Sequence, residues 1–228
     1  MAQRLTHLFV WLGAFAWSGC VVTSVHPHVD AEKSVNDPRL FGAWVMDNDK
    51  DAIWLHVGPR APAGQTLLML NQSRKETQEF GWMSGELLTA PAGTDAIGSL
   101  GFELESKADG TVSPVDRKSW ILMRYHVDGD TLRLERLDND PTAEAIRRGE
   151  VAGEAPDQAA TAEGDRKAAP PTLQAFPEGL AAWLSHKDAA AKGPVWVEFA
   201  VFSRAKAAAP APAKPPTAPP VKPTAKPR

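Results

Sequence analysis

Only one cysteine, Cys20, occurs in 228 residues. The fold therefore has no intrachain disulfide to staple it and no cysteine-based metal site, and must hold itself with an ordinary hydrophobic core. Long hydrophobic runs are missing too. The run Leu8–Trp17 is ten residues, half of the roughly 20 that a helix needs to cross about 30 Å of hydrocarbon. The nucleophile elbow G-x-S-x-G, the zinc helix H-E-x-x-H, the P-loop and the dinucleotide fingerprint G-x-G-x-x-G do not occur. Those absences remove the commonest sequence marks of an enzyme, so no catalytic residue and no cofactor are expected.

The leader is the most informative stretch that is present. Arg4 gives a positive start, Leu8–Trp17 an apolar core, and Ser18-Gly19-Cys20 a small-residue end. These are the parts of a secretory signal rather than a membrane span. Two cleavage readings compete. Ala14-Phe15-Ala16 satisfies an ordinary A-x-A site, but leaves only Leu8 to Gly13 as apolar core, under the roughly 7–15 residues usual there. Trp17-Ser18-Gly19-Cys20 resembles the lipobox of bacterial lipoproteins. That resemblance implies that Cys20 is acylated (palmitate or a similar chain) and becomes the new N-terminus. Val21 stands where inner-membrane retention would place Asp, so the resemblance implies the outer membrane of a Gram-negative cell, with the domain facing the periplasm. Two or more acyl chains anchor stably, at ~0.8 kcal/mol per buried methylene, where one alone binds marginally.

Apolar content of 43% and charged content of 23% describe an ordinary globular chain. Its charge is uneven. Residues 204–228 carry Arg204, Lys206, Lys214, Lys222, Lys226 and Arg228 with no acid, while 20–203 hold 28 acids against 18 bases, a net of −10. An acidic body argues against nucleic acid as a partner. The division expected is a signal peptide over 1–19, a lipid-anchored tether over 20–36, a β-rich domain over 37–203 and a Pro/Ala/Lys-rich disordered tail over 204–228. The tail favours polyproline II, and its basic character suits contact with peptidoglycan or an anionic membrane surface.

Within 37–203 the periods are mostly those of strands. Leu40-x-Gly42-x-Trp44 looks like the Gly-x-Trp opening strand of lipocalin-like barrels, where the tryptophan plugs the closed end. Ala52–Val57 reads as a strand stopped by the Gly58-Pro59 turn signal. Thr66–Leu70 is a short apolar strand, and Phe80–Leu88 a bent one with Gly81 and Gly85 at bulges or tight curvature. Gly98–Glu105 puts Leu100, Phe102 and Leu104 on one face. Ser119–Val127 and Thr131–Leu137 flank Asp128-Gly129-Asp130 and predict a hairpin. Its second arm sets Leu132, Leu134 and Leu137 against Arg133, Glu135 and Arg136, and its first arm, apolar on both faces, reads as a central strand. A short helix over 139–149 is expected, with Asp140 as N-cap, Pro141 opening it and glycine closing it. Residues 150–169 read as a mobile acidic loop. Thr172–Ala175 suits a short strand, Pro177–Lys187 a helix with Leu180, Trp183 and Leu184 on its apolar face, and Val195–Phe202 a buried closing strand. The whole of 37–203 resembles bacterial lipoproteins with a lipocalin-like or antiparallel β core. The fold class expected is mainly β: one antiparallel barrel or curved sheet of about seven to eight strands with two short helices.

Few residues stand out for chemistry. Asp47-Asn48-Asp49-Lys50-Asp51 looks like a calcium loop but lacks glycine at its sixth position, where Ala52 stands. A solvated turn suits it better. His26-Pro27-His28 beside Asp30 and Glu32 lacks a supporting ligand and reads as spacer, not metal clip. His56, His126 and His186 fall on separate elements. Trp44, Trp54, Trp82 and Trp120 are the candidates to line a barrel mouth around an apolar ligand, since a barrel of about eight strands can keep a small cavity. The function expected is a lipid-anchored envelope protein with a structural, partner-binding or small apolar ligand-binding role. The alternative is an envelope enzyme with an unrecognised site.

Overall fold

Where apolar residues alternate with polar ones the chain forms strands, and eight of these close on themselves. A computed structural model of the chain describes residues 21–47, 51–60, 65–75, 80–90, 96–106, 111–115, 119–156, 169–185 and 193–206. The leader, Cys20, the centre of the acidic turn at 48–50, most of the loop at 157–168, His186 and the tail from 207 lie outside the described residues. The strands are β1 (Thr23–Ser24), β2 (Gly42–Asp47), β3 (Asp51–Arg60), β4 (Gln65–Arg74), β5 (Phe80–Thr89), β6 (Ala96–Ser106), β7 (Val112–Pro114), β8 (Trp120–Asp128), β9 (Thr131–Leu137), β10 (Gly153–Glu154), β11 (Thr172–Leu173) and β12 (Trp196–Arg204). The helices are α1 (Asn139–Arg147) and α2 (Pro177–Leu184), and a 3-10 turn spans Pro38–Leu40.

Strands β2-β3-β4-β5-β6-β8-β9-β12 form an antiparallel meander, and β12 pairs back onto β2. Every barrel strand therefore has two neighbours, which removes the exposed sheet edges of an open sheet. This is the lipocalin-like barrel expected, mainly β with two α-helices among the described residues. One core lies inside it, with Trp44, Leu55, Leu68, Leu100, Tyr125 and Phe202 among its buried residues. A second core lies outside, where α1, α2, β1 and β11 cover β8 and β9 through Leu122, Leu137, Leu173, Leu180 and Trp183. The two-faced apolar pattern of 120–125 follows from this: Met123 and Tyr125 face the barrel and Leu122 faces the helices. The hairpin forms as expected, Asp128 pairing with Thr131 around Gly129 at φ 55°, a conformation open to glycine without strain.

Several boundaries differ from expectation, each for a local reason. Residues 21–36 are not a free tether. Val22 is 1% exposed and β1 pairs with both β8 and β11. Ser34 and Val35 then bond to Thr89, and Thr66 donates to Asn36. The segment lies along the outside of the barrel and crosses its end. It has no period because side-chain and backbone hydrogen bonds, not alternation, hold it. Gly58-Pro59 does not stop β3, which runs on to Arg60. Beyond Val57 the neighbouring β2 has ended, so proline's missing N–H falls on an unpaired side. Leu104 leaves the face of Leu100 and Phe102, because Ser84 and Gly85 pair with Leu104 and Phe102, making Glu103 an extra residue. This bulge flips Leu104 outward to 38% exposure. Helix α1 starts two residues early, with Asp138 rather than Asp140 at the N-cap. Val151 is buried and β10 pairs with β11, so the acidic loop is anchored at its start. The closing strand is buried on one face only, since Val201 points to solvent.

One end of the barrel is plugged. Trp44 is fully buried and donates its indole N–H to the Leu40 carbonyl at 2.8 Å. Arg204, counted with the tail from composition, is the last residue of β12. Its guanidinium lies 4.0 Å from the Trp44 ring centroid and donates to the carbonyls of Phe41 at 2.9 Å and Arg39 at 3.1 Å. Gly42 has φ 128°, and a Cβ there would stand 3.0 Å from that guanidinium, so glycine meets both a backbone and a space requirement. Asp37 caps the 3-10 turn by accepting from the Arg39 N–H, and also accepts from the Arg39 side chain and from Tyr125 Oη at 3.0 Å. Burial pushes the Asp37 carboxyl up, but those donors together hold it below its ordinary value, and the Tyr125 phenol is driven up by its own burial and by the carboxylate it faces. Replacing Arg204 with Met keeps the packing over Trp44 and removes the charge and both hydrogen bonds, so a loss of about 2 kcal/mol is expected. Urea unfolding of the Arg204→Met protein checks it, and an unchanged midpoint would show that the plug does not need the guanidinium.

Candidate functional site

Opposite the plug the barrel is not filled. The inward positions of β3, β4, β6 and β8 place Leu55, Leu68, Leu70, Leu100, Phe102 and Met123 around a cavity of about 50 Å³. A buried water needs only roughly 10–15 Å³ by the same measure, so the space holds a small apolar group or the end of a slender chain. The surface it exposes is apolar, and apolar cavities of this kind stay dry and accept apolar guests. The rim is set by Val21, Ile121, Arg136 and Phe199. Phe199 gets there through a bulge: Glu198 pairs with Glu135 and Ala200 with Leu134, leaving Phe199 as the extra residue. It lines the cavity while 38% exposed, so the space communicates with solvent.

Arg136 is the rim's charge. It pairs with Met123, an inward residue, and so shares the barrel interior with Leu132 and Leu134. Its aliphatic stem forms wall, and its Nη1 donates to the Leu137 carbonyl at 3.2 Å.

None of the four tryptophans expected at a ligand mouth lines this cavity. Trp44 is in the plug. Trp54 faces outward from β3, stacked against His56 with ring centroids 6.4 Å apart. Trp82 and Trp120 occupy the outward phase of β5 and β8, next to inward Met83 and Ile121. The interior of an eight-strand barrel is narrow, and its inward register went to leucine, methionine and phenylalanine. The useful signal was strand phase rather than residue size. In β9, Leu132, Leu134 and Arg136 are in step and Leu137 is out of step, which marks Arg136 as inward. Cys20 and His186 lie outside the described residues, and His126 lies on β8 with its side chain exposed.

One further polar pair is buried outside the barrel. His28, expected in a spacer, is 5% exposed, and Ser99 on the outer face of β6 is fully buried. Ser99 Oγ accepts from the His28 backbone N–H at 2.9 Å and stands 2.7 Å from Nδ1. Serine's hydroxyl can accept from the backbone N–H and still donate to or accept from the ring, so this one side chain holds both the strap's backbone and its imidazole. This nucleophile–base geometry is sealed from any substrate and away from the cavity, so it is a structural clasp. Among the described residues no three His, Cys, Asp or Glu side chains gather to hold a metal, and no helix is long and apolar enough to cross a membrane.

Burial lowers the His28 pKa from 6.5 to about 4. With the folded value below the unfolded one, the unfolded chain takes up the proton first as pH falls. The clasp's stability is then fully present above the unfolded value and drains away between 6.5 and about 4, a component of roughly 3 kcal/mol. His28→Asn keeps an acceptor near Nδ1 and removes the titration. Its urea midpoint is expected to fall less than the parent's over that range, and parallel falls would count against the clasp. No family model, no curated protein and no solved structure matches this chain.

Proposed function

We propose that this chain is a lipid-anchored protein of the bacterial outer membrane whose barrel binds a small apolar ligand without catalysis. The cavity is the observation that carries the reading: the barrel is plugged by a dense polar knot at one end and left apolar, unfilled and open at the other. Six methylenes buried there would contribute roughly 5 kcal/mol, a dissociation constant between about 0.1 and 1 mM from the chain alone. The anchor and the mouth share an end. Val21, at the rim, follows Cys20 directly, and consecutive Cα atoms are only about 3.8 Å apart. Acylation at Cys20 would hold the mouth at the membrane surface, where apolar molecules are concentrated.

Filling the cavity tests the binding. Leu100→Trp places bulk between Leu55 and Phe102, and titration with the neutral fluorophore N-phenylnaphthylamine is expected to weaken by at least about tenfold. Equal binding by parent and variant, with unfolding transitions alike, would sink the cavity reading. The anchor is tested separately: Cys20→Ala is expected to release the protein from sedimented outer membrane and to end incorporation of labelled palmitate. Retention of both would mean that Cys20 is not the attachment point.

A further inference from the structure

The arginines on the outer wall of β8 and β9 are neutralised in place. Arg124 pairs with Glu135, and Arg133 with Glu198 at 3.2 Å. Arg136 differs. It sits one residue from Glu135 but on the opposite face of the strand, so that carboxylate points away from it. Among the described residues no acidic side chain forms an ion pair with Arg136. Among the described residues its one side-chain hydrogen bond is to the Leu137 carbonyl, which uses one of five N–H donors. A partly buried guanidinium with most of its donors unused among the described residues, beside an apolar cavity, is half of a recognition site. The wall takes hydrocarbon, and the rim offers a planar fork shaped for a carboxylate or a similar oxyanion.

We infer that the barrel selects single-chain amphiphiles with an anionic head, the chain end seated among Leu70, Leu100 and Phe102 and the head held at the rim by Arg136. This rests on the cavity reading above and adds the chemical class of the ligand. The sequence supports the placement. A strand in which the inward register runs Leu132, Leu134 and then charge places its polar residue where the barrel meets water. The bulged Phe199 and the N-terminal Val21 complete the apolar collar around it. A neutral chain of the same length gains the wall contacts only. An anionic one gains charge-assisted hydrogen bonds as well, in a site where the low local dielectric strengthens them.

The test compares cis-parinaric acid with its methyl ester, two fluorescent probes with one chain and different heads, titrated near neutral pH into the full chain. The parent is expected to bind the acid about 10–100-fold more tightly than the ester. Arg136→Met keeps the stem's contact with the wall and removes the charge, so the acid should fall to the ester's affinity while the ester stays within about threefold. Arg136→Lys should recover part of the preference as a point charge without the fork. Equal binding of both probes by the parent overturns the role of Arg136 and leaves the cavity standing. A preference that survives in Arg136→Met, or an ester affinity that collapses with it, also overturns that role. Failure of the parent to bind either probe overturns the cavity reading, and this inference with it.

Discussion

Closure of the barrel depends on one contact between the two ends of the domain. Arg204, at the end of β12, lies on Trp44 of β2 and binds the carbonyls of Phe41 and Arg39. Those carbonyls lie within and just after a 3-10 turn too short to satisfy its own backbone groups, and a guanidinium can serve two of them while its face rests on an indole. A side chain at 42 would crowd the arginine, and an arginine without the tryptophan would have no surface to lie on. The backbone then repeats the joint, with Ala205 N–H donating to the Ala43 carbonyl and Arg204 N–H to that of Asp130. The first strand, the last strand and the β8–β9 hairpin meet in this one place.

Long-range joints of this kind explain what the sequence could and could not disclose. The hairpin at Gly129, the two-faced strand at 120–125 and the apolar face of Leu180, Trp183 and Leu184 depend on neighbours in the chain, and local patterning found them. Arg204 has partners some 160 positions earlier, so composition grouped it with the basic tail. The strap of 21–36 was missed for the opposite reason. It is held by single bonds such as His28 to Ser99 and Thr66 to Asn36, which leave no period to detect. The tryptophans misled because size was allowed to stand for location. Strand phase would have put Trp54, Trp82 and Trp120 outside, and two bulges explain why phase alone would still have misplaced Leu104 and Phe199.

The polar groups are distributed with an asymmetry that separates stability from function. At the plugged end Asp37, Arg39, Tyr125, Thr66 and Asn36 satisfy one another. Buried polar groups stabilise only when so matched, and a half-satisfied network would be worse than an apolar one. At the other end the wall has nothing to satisfy, and the single charge at the rim is left without an acidic partner among the described residues. An interior packed to ordinary density would have closed the space between Leu70 and Phe102. Leaving it open forfeits the dispersion contacts that facing atoms would make, a standing cost that a guest able to fill the space would remove.

The strap ties the two ends together. It begins at the rim with Val21, lies along the outer wall where Ser99 holds His28, and ends by crossing the plug, where Asn36 and Asp37 meet Thr66 and Tyr125. Tension applied at the N-terminus would therefore be carried along the outside of the barrel into its most cross-linked region, not into the cavity wall. Under the proposed anchoring just before Val21, the mouth would stay close to the membrane surface, while the hydrogen bonds that resist pulling lie at the far end. The buried imidazole is the weak link of that path, because burial disfavours its charged form. A fall in pH toward the His28 value would loosen the middle of the strap while Trp44 and Arg204 still held the barrel closed.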